Sequence, residues 1–185
     1  QYIACLDPLG EDRGKTPYAL NPEQYGMFLT ELFNLWYEDW KKGEQPYIRQ
    51  FENYIGILLG YQPESCEQRG SCGTQNVVEA DGSVYPCDFY ALDEYKLGNF
   101  YCNRLEEIDK KRKEIAFVEQ SQIVAENCKN CKFYKICKGG CRRNKDFNAM
   151  NGEYENYFCK SYRIFFDICL ERMIQIVEII KNQKG

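Results

Sequence analysis

Four cysteines fall within fourteen residues in the segment Cys128-Lys-Asn-Cys131-Lys-Phe-Tyr-Lys-Ile-Cys137-Lys-Gly-Gly-Cys141. They are separated by two, five and three residues, and a further cysteine, Cys159, follows after seventeen more. Thiols at this density are typical either of a disulfide framework or of a metal site. The interpretation of the remaining sequence depends on which of the two applies.

The composition of the chain favours a metal site. Its 185 residues contain 11 cysteines, an odd number that cannot pair completely, and a chain of this length needs no disulfides to fold. No apolar run is long enough to span a membrane and no signal peptide is recognisable, so we expect a soluble, cytoplasmic protein with reduced thiols and no membrane partner. Histidine is absent, which excludes a His-containing zinc, haem or nucleophilic site within this chain. A metal would be held by thiolates, as zinc or as iron–sulfur clusters.

Residues 1–63 show a pattern of alternating strands and helices. The expected elements are a buried strand over residues 1–6, a helix capped by Asn21 and running from Pro22 to about Lys42, an extended segment over 47–51, and a helix over 52–59 ended by Gly60. This order predicts α/β units from a parallel sheet or barrel. The abrupt start, with a strand at the first residue, indicates the last part of a larger protein.

Residues 64–185 predict a second, cysteine-rich domain. The expected elements are a hairpin of residues 76–80 and 83–87 joined by a type I′ turn at Asp81-Gly82, a turn over 97–100, a helix over 104–118, a polar loop with Asn148, Asn151 and Gly152, and a helix from about Tyr157 to Lys181. The returning strand of the hairpin is expected to bring Cys87 and Asp88 beside Cys72.

The cysteines divide into isolated and grouped ones. Cys5, Cys102 and Cys169 stand alone in predicted elements, and we interpret them as small buried hydrophobic residues. The grouped cysteines are Cys66, Cys72, Cys87, Cys128, Cys131, Cys137, Cys141 and Cys159. Eight thiolates in one small domain repel each other, so a metal must neutralise them or they must stay protonated.

Spacing alone does not distinguish zinc from iron–sulfur. Between Cys128 and Lys145 there are seven basic and no acidic residues, which leaves 17 basic against 28 acidic residues elsewhere. A basic cysteine-rich knuckle is typical of a nucleic-acid-binding zinc ribbon, whereas the same charges can offset the negative charge of a thiolate-bound cluster. The acidic remainder disfavours nucleic acid as a partner.

The whole cysteine pattern resembles a known domain. Cys66-x5-Cys72-x14-Cys87, followed by Cys128-x2-Cys131-x5-Cys137-x3-Cys141-x17-Cys159, is similar to the SPASM domain of radical S-adenosylmethionine (radical SAM) enzymes that modify peptides. The resemblance covers about residues 64–170. The segment Tyr85-Pro-Cys-Asp-Phe-Tyr90 with Leu97-Gly-Asn99 after it resembles one branch, the anaerobic sulfatase-maturating enzymes. Residues 1–8 are similar to the late barrel strand that precedes the SPASM region there.

The resemblance implies an α+β fold in two parts. Residues 1–63 would be the end of the radical SAM α/β barrel, a partial TIM-like barrel, with a linker. Residues 64–185 would be a SPASM domain with a β-hairpin, cluster-binding loops and a long C-terminal helix.

The resemblance also implies two auxiliary [4Fe–4S] clusters. One would be held by Cys66, Cys72, Cys87 and Cys141, and the other by Cys128, Cys131, Cys137 and Cys159. The backbone would then pass between the two metal centres at Gly139-Gly140. S-adenosylmethionine and a third [4Fe–4S] cluster would bind in the N-terminal part of the parent enzyme. Because the radical-generating Cys-x3-Cys-x2-Cys motif is not in these residues, the fragment alone is predicted to be inactive.

The implied reaction oxidises a Cys or Ser of a sulfatase polypeptide to Cα-formylglycine. A 5′-deoxyadenosyl radical would remove a Cβ hydrogen, a base would take the thiol or hydroxyl proton, and the auxiliary clusters would accept the remaining electron. The implied base is Asp88: neighbours in an extended strand point to opposite faces, so Cys87 can face a cluster and Asp88 a cavity. In the alternative interpretation, Asp88 only accepts a backbone hydrogen bond in the turn after the hairpin.

Two alternatives to this function stay open. The first is the SPASM domain of another radical SAM peptide maturase, such as a thioether-forming one. The second is a cytosolic zinc-binding interaction module with all-cysteine ligands.

Overall fold

The structure is a computed structural model that describes residues 2–183. Its helices are α1 (Pro22–Lys41), α2 (Arg49–Leu59), α3 (Cys66–Arg69), α4 (Leu105–Glu114), α5 (Phe117–Ser121), α6 (Glu126–Lys129), α7 (Tyr134–Cys137) and α8 (Cys159–Gln183). The strands are β1 (Val77–Val78), β2 (Ser83–Tyr85), β3 (Gly98–Asn99), β4 (Lys145–Asn148) and β5 (Glu153–Asn156). The fold therefore mixes helices with two small antiparallel sheets, β1-β2-β3 and β4-β5.

Helices α1, α2 and α8 share the main hydrophobic core. The Asn21 side chain caps α1 by accepting a first-turn backbone N–H at 2.8 Å, as predicted. Phe33 of α1, Phe51 of α2 and Phe165 of α8 are fully buried, with ring centroids between 5.2 and 5.9 Å apart. This core joins the two predicted domains, and a boundary at residue 63 stays a prediction.

Two predictions for the first 63 residues are wrong. Residues 2–6 form no strand, and Gln1 lies outside the described residues. A strand needs a neighbouring segment to pair its backbone groups, and none of the described segments pairs with these residues. The segment 47–51 is not extended throughout either, because α2 begins at Arg49. Residues 2–63 therefore contain helices but no strand, and their assignment to the end of an α/β barrel stays a prediction.

The predicted hairpin forms, but with a different turn. Strands β1 and β2 pair antiparallel, as predicted. Within the turn only Gly82 has a positive φ, of 79°, and its N–H donates to the carbonyl oxygen of Glu79. This pattern is that of a type I turn closed by a glycine bulge rather than of a type I′ turn. The carboxylate of Asp81 accepts hydrogen bonds from the N–H and the hydroxyl of Ser83.

The segment between the two cysteine groups differs from prediction in two places. Residues 97–100 contain strand β3, which pairs with β2, instead of only a turn. The single helix predicted over 104–118 is divided, because Ala116 adopts a left-handed φ of 48° between α4 and α5. The break turns Phe117 inward, where its ring packs against Tyr90 with centroids 5.1 Å apart.

The last third of the chain contains one unexpected hairpin. The loop predicted around Asn148 and Gly152 is the connection between strands β4 and β5, which pair along their whole length. Helix α8 is confirmed, although it begins at Cys159 instead of Tyr157. None of the helices within residues 2–183 is both long enough and apolar enough to cross a membrane.

Candidate metal centres

Two cavities are each lined by four of the eight grouped cysteines. The first cavity, of about 240 Å³, is lined by Cys66, Cys72, Cys87 and Cys141. The second cavity, of about 700 Å³, is lined by Cys128, Cys131, Cys137 and Cys159. The structure thus brings the cysteines together in the two sets that the family resemblance implied.

The ligand candidates of the second cavity lie at or near helix ends. Cys128 belongs to the single turn of α6, Cys137 is the last residue of α7, and Cys159 is the first residue of α8. Cys131 follows α6 and precedes α7. These helices hold the thiols around one space, whose wall also includes Glu155 and Asn156 of β5.

The first cavity is assembled from segments that are distant in sequence. Cys66 begins α3, and Cys87 follows β2. Helix α3 ends at Gly70, whose φ is 71° and where an added Cβ would lie 2.7 Å from the carbonyl oxygen of Lys138. This close approach packs the loop that carries Cys66 and Cys72 against the segment that leads to Cys141.

The backbone passes from the second cavity to the first at Gly139 and Gly140. Both glycines have positive φ angles, of 81° and 72°. The Asn156 side chain donates a hydrogen bond to the carbonyl oxygen of Gly139 at 2.9 Å, and a Cβ on Gly140 would collide with that same amide nitrogen. Glycine is therefore required at residue 140 by both conformation and space.

Burial keeps most of these thiols from ionising. It raises the pKa of Cys87, Cys137 and Cys141 to about 12. Burial also raises the pKa of Cys72, Cys128 and Cys159 above the ordinary value. Such thiols become thiolates at neutral pH when a metal supplies the compensating charge.

The four thiols that line each cavity are ligands of the type that an iron–sulfur cluster takes. Among residues 2–183, no three Cys, His, Asp or Glu side chains converge closely enough to hold one metal ion. The sulfurs of a tetrahedral zinc site lie about 3.8 Å apart, because each Zn–S bond is about 2.3 Å. A cubane cluster holds its four thiolates on four separate iron atoms and thus farther apart. Four thiols spread around one cavity match that requirement.

The three isolated cysteines behave differently from one another. Cys169 is buried in the core, as predicted. Cys5 and Cys102 are exposed, so their prediction as buried residues is wrong. Cys5 belongs to the segment that forms no strand, and Cys102 lies in a turn after β3.

Asp88 lies beside the first cavity in an unexpected orientation. It is exposed, lines the cavity, and begins a 3-10 turn that ends at Tyr90. The Cys87 thiol donates to its Oδ1 at 3.2 Å, so the prediction that the two side chains face opposite ways is wrong. The reason is that the backbone leaves the extended conformation at Asp88. The same oxygen accepts the N–H of Phe89 at 3.2 Å, which is the hydrogen bond of the alternative interpretation.

Residues that the sequence did not single out also line the cavities. The Tyr162 hydroxyl donates to Glu67 Oε1 at 2.5 Å, across 95 positions of sequence. Burial raises the pKa of Glu67, although the Tyr162 hydrogen bond opposes that rise. The Arg142 guanidinium lies 4.5 Å from the ring centroid of Phe117 and 5.3 Å from that of Tyr90. The position of Glu67 directly after Cys66 is the one sequence signal that could have drawn attention to the pair.

Comparison with known families defines the class of the cysteine-rich region. Residues 66–132 match the family model SPASM, described as an iron–sulfur cluster-binding domain. The match confirms the SPASM resemblance for residues 66–132 of the expected range of about 64–170.

The comparisons also identify particular relatives. The chain is 45% identical over 181 residues to the cysteine-type anaerobic sulfatase-maturating enzyme of Clostridium perfringens strain 13, a match that covers 98% of this chain and 49% of that protein. It is 32% identical over 179 residues to the serine-type anaerobic sulfatase-maturating enzyme of Bacteroides thetaiotaomicron. That match covers 95% of this chain and 42% of that protein. A solved structure described as native anSMEcpe with bound AdoMet and Kp18Cys peptide matches with a TM-score of 0.87 at 43% identity, covering 95% of this chain and 49% of that one.

These matches place the chain among known proteins. It matches the SPASM model over residues 66–132, and it is similar along most of its length to anaerobic sulfatase-maturating enzymes. The chain spans about half the length of the curated relatives it matches.

Proposed function

We propose that this chain is the SPASM part of a radical SAM enzyme that oxidises a cysteine or serine of a sulfatase to Cα-formylglycine. The observation that carries the proposal is the division of the eight cysteines between two cavities. Cys137 and Cys141, four positions apart, line different cavities, as the family pattern requires. Similarity to both cysteine-type and serine-type maturating enzymes over nearly the whole chain supports the substrate class.

The proposal assigns a role to each part of the parent enzyme. Residues 64–185 form the SPASM domain, and residues 1–63 are the end of the α/β barrel with its linker. The remainder of the parent binds S-adenosylmethionine and a third [4Fe–4S] cluster. The bound AdoMet named for the solved relative supports this assignment.

Each cavity holds one [4Fe–4S] cluster in this proposal. Cys66, Cys72, Cys87 and Cys141 are the ligands in the first cavity, and Cys128, Cys131, Cys137 and Cys159 in the second. When bound, such a cluster supplies a one-electron acceptor.

Asp88 is proposed as the base. Its Oδ1 already accepts a thiol hydrogen bond, from Cys87, at a distance close to that needed for proton transfer. Once Cys87 binds a cluster as a thiolate, that proton is gone and Oδ1 can accept from a substrate thiol or hydroxyl instead. The substrate would lose a Cβ hydrogen atom to the 5′-deoxyadenosyl radical, a proton to Asp88 and one electron, for which a cluster held by the first cavity would supply the acceptor. A serine would become the aldehyde directly. A cysteine would become a thioaldehyde, which water converts to the aldehyde with release of sulfide.

The proposed partner is a sulfatase polypeptide. The peptide named for the solved relative supports a polypeptide substrate. The excess of acidic residues outside the segment 128–145 argues against nucleic acid.

Metal analysis of the full-length protein tests this proposal. After anaerobic purification and reconstitution, we expect iron and sulfide but no stoichiometric zinc, together with conversion of a sulfatase peptide to formylglycine. As a control, Cys102→Ala removes an exposed cysteine that lines neither cavity and is expected to leave the iron content unchanged.

Other outcomes of that analysis favour the alternatives. Zinc without iron would replace the proposal with a zinc-binding module. Iron with a thioether product, and no formylglycine, would assign the chain to a different peptide maturase.

A further inference from the structure

A hydrogen bond in the interior joins the walls of the two cavities. Glu67 lines the first cavity directly after Cys66, and Tyr162 lines the second cavity three positions after Cys159. The Tyr162 hydroxyl donates to Glu67 Oε1, and Tyr162 is 3% exposed. The bond, which is partly buried, therefore spans the partition between the two sets of cysteines.

The Glu67 carboxyl lies within electrostatic reach of both cysteine sets. The carboxyl lines the first cavity, and the hydroxyl that donates to it belongs to Tyr162, which lines the second. Arg49, which also lines the first cavity, is the cation that acts on the same carboxyl. Since a charge in the protein interior is screened less than one in water, its influence extends to both cavities.

We propose that Glu67 and Tyr162 are positioning residues that couple the two cluster sites electrostatically. The inference rests on the proposed iron–sulfur function. The reduction potential of a cluster depends on the charges and hydrogen bonds around it. A negative charge on Glu67, held between two clusters, would therefore oppose the addition of an electron to either one. Tyr162 contributes through Glu67, by holding the carboxylate in the partition.

The test measures the reduction potentials of both clusters by spectroscopic titration of the full-length, anaerobically reconstituted protein. Glu67→Gln keeps the size of the side chain and removes its charge, so both potentials are expected to become more positive. Tyr162→Phe is expected to shift both potentials in the wild-type background. In the Glu67→Gln background it is expected to have little effect, because the hydroxyl acts through the carboxylate.

A matched pair on the surface supplies the control. The Tyr47 hydroxyl donates to Glu64 Oε1 at 2.6 Å, but both residues are exposed and neither lines a cysteine cavity. Tyr47→Phe is therefore expected to leave both potentials in place.

Several results would overturn the coupling. One is that Glu67→Gln leaves both potentials unchanged, and another is that Tyr162→Phe shifts them no more than Tyr47→Phe does. Loss of iron from Glu67→Gln and Tyr162→Phe, while Tyr47→Phe keeps all of its iron, would show that Glu67 and Tyr162 have a purely structural role. A wild-type protein that binds no iron would contradict the proposed function itself, a distinguishable result.

Discussion

Each of the two cavities is lined by four cysteines, but the two are built in different ways. The second takes three of its cysteines from a ten-residue segment, 128–137, in which short helices place the thiols. The first collects Cys66, Cys72, Cys87 and Cys141 from three separate segments spread over more than seventy positions. The second cavity therefore depends mainly on local structure, and the first on tertiary packing. Changes to packing are expected to affect the first cavity more.

The largest expected effect concerns the chemistry beside the first cavity. Asp88→Asn in the full-length enzyme removes the proposed base, and general-base catalysis contributes about 10²- to 10⁴-fold to a rate. We expect formylglycine formation to fall by about that factor with the iron content unchanged. The measurement is single-turnover peptide conversion by mass spectrometry alongside iron analysis. Full activity of a variant that retains its iron would show that Asp88 serves only the turn after the hairpin.

The next effect concerns the packing of residue 140 against Asn156, between the two cavities. Gly140→Ala places a methyl group against Asn156 at a left-handed backbone position, which costs about 2–4 kcal/mol of folding free energy. We expect iron to be lost, because Cys141 of the first cavity follows directly and the displaced Asn156 lines the second cavity. Iron analysis and denaturant unfolding measure the two effects.

A second glycine provides the control for that experiment. Gly152 has the same φ of 72° as Gly140, but an added Cβ meets no atom within 4 Å. Gly152→Ala is expected to cost only about 1 kcal/mol of conformational strain and to leave the iron content unchanged. Equal iron loss in the two variants would contradict the role assigned to residue 140.

A smaller effect concerns acid stability next to the first cavity. Asp7 is buried, which opposes its ionisation, but hydrogen bonds from Thr16 and Gly14 outweigh burial and lower its pKa to about 2. The carbonyl oxygen of Asp7 accepts a hydrogen bond from Arg143, two positions after Cys141. Asp7 therefore connects the loop of residues 7–16, through hydrogen bonds, to the segment that carries Cys141.

The direction of the pH dependence follows from the lowered pKa. The fold favours ionised Asp7, so its contribution to stability is complete above the unfolded pKa of about 3.9 and is lost as the pH falls to about 2. Asp7→Asn is expected to flatten the dependence of unfolding free energy on pH in that window, as measured by chemical denaturation. Thr16→Val, which removes one hydroxyl donor, should give an intermediate dependence. An unchanged profile in Asp7→Asn would refute this account of Asp7.

The sequence predicted the parts of the molecule that depend on local patterns. Asn21-Pro22 predicted the start of α1, Gly60 the end of α2, and Asp81-Gly82 the position of the hairpin. The even division of the cysteines into two sets came from family resemblance, because spacing alone does not assign Cys141 to the more distant group.

The remaining features depend on contacts that no local pattern records. The 1–6 strand was predicted from its apolar residues, but a strand forms only where a partner segment exists. The position of Glu67 against Tyr162 requires the packing of α3 on α8, and the break at Ala116 follows from burying Phe117. The orientation of Asp88 differs from the predicted one because its backbone is not extended but begins the 3-10 turn.

The passage of the chain between the two cavities, from Cys137 to Cys141, is the central claim, and the iron content of paired variants tests it most directly. In the full-length protein, Cys137→Ala and Cys141→Ala are each expected to lose about four iron atoms, one [4Fe–4S] cluster. Combining them should lose about eight, whereas combining Cys141→Ala with Cys72→Ala should lose no more than about four. Additive loss for Cys72 with Cys141, and no further loss for Cys137 with Cys141, would contradict the assignment.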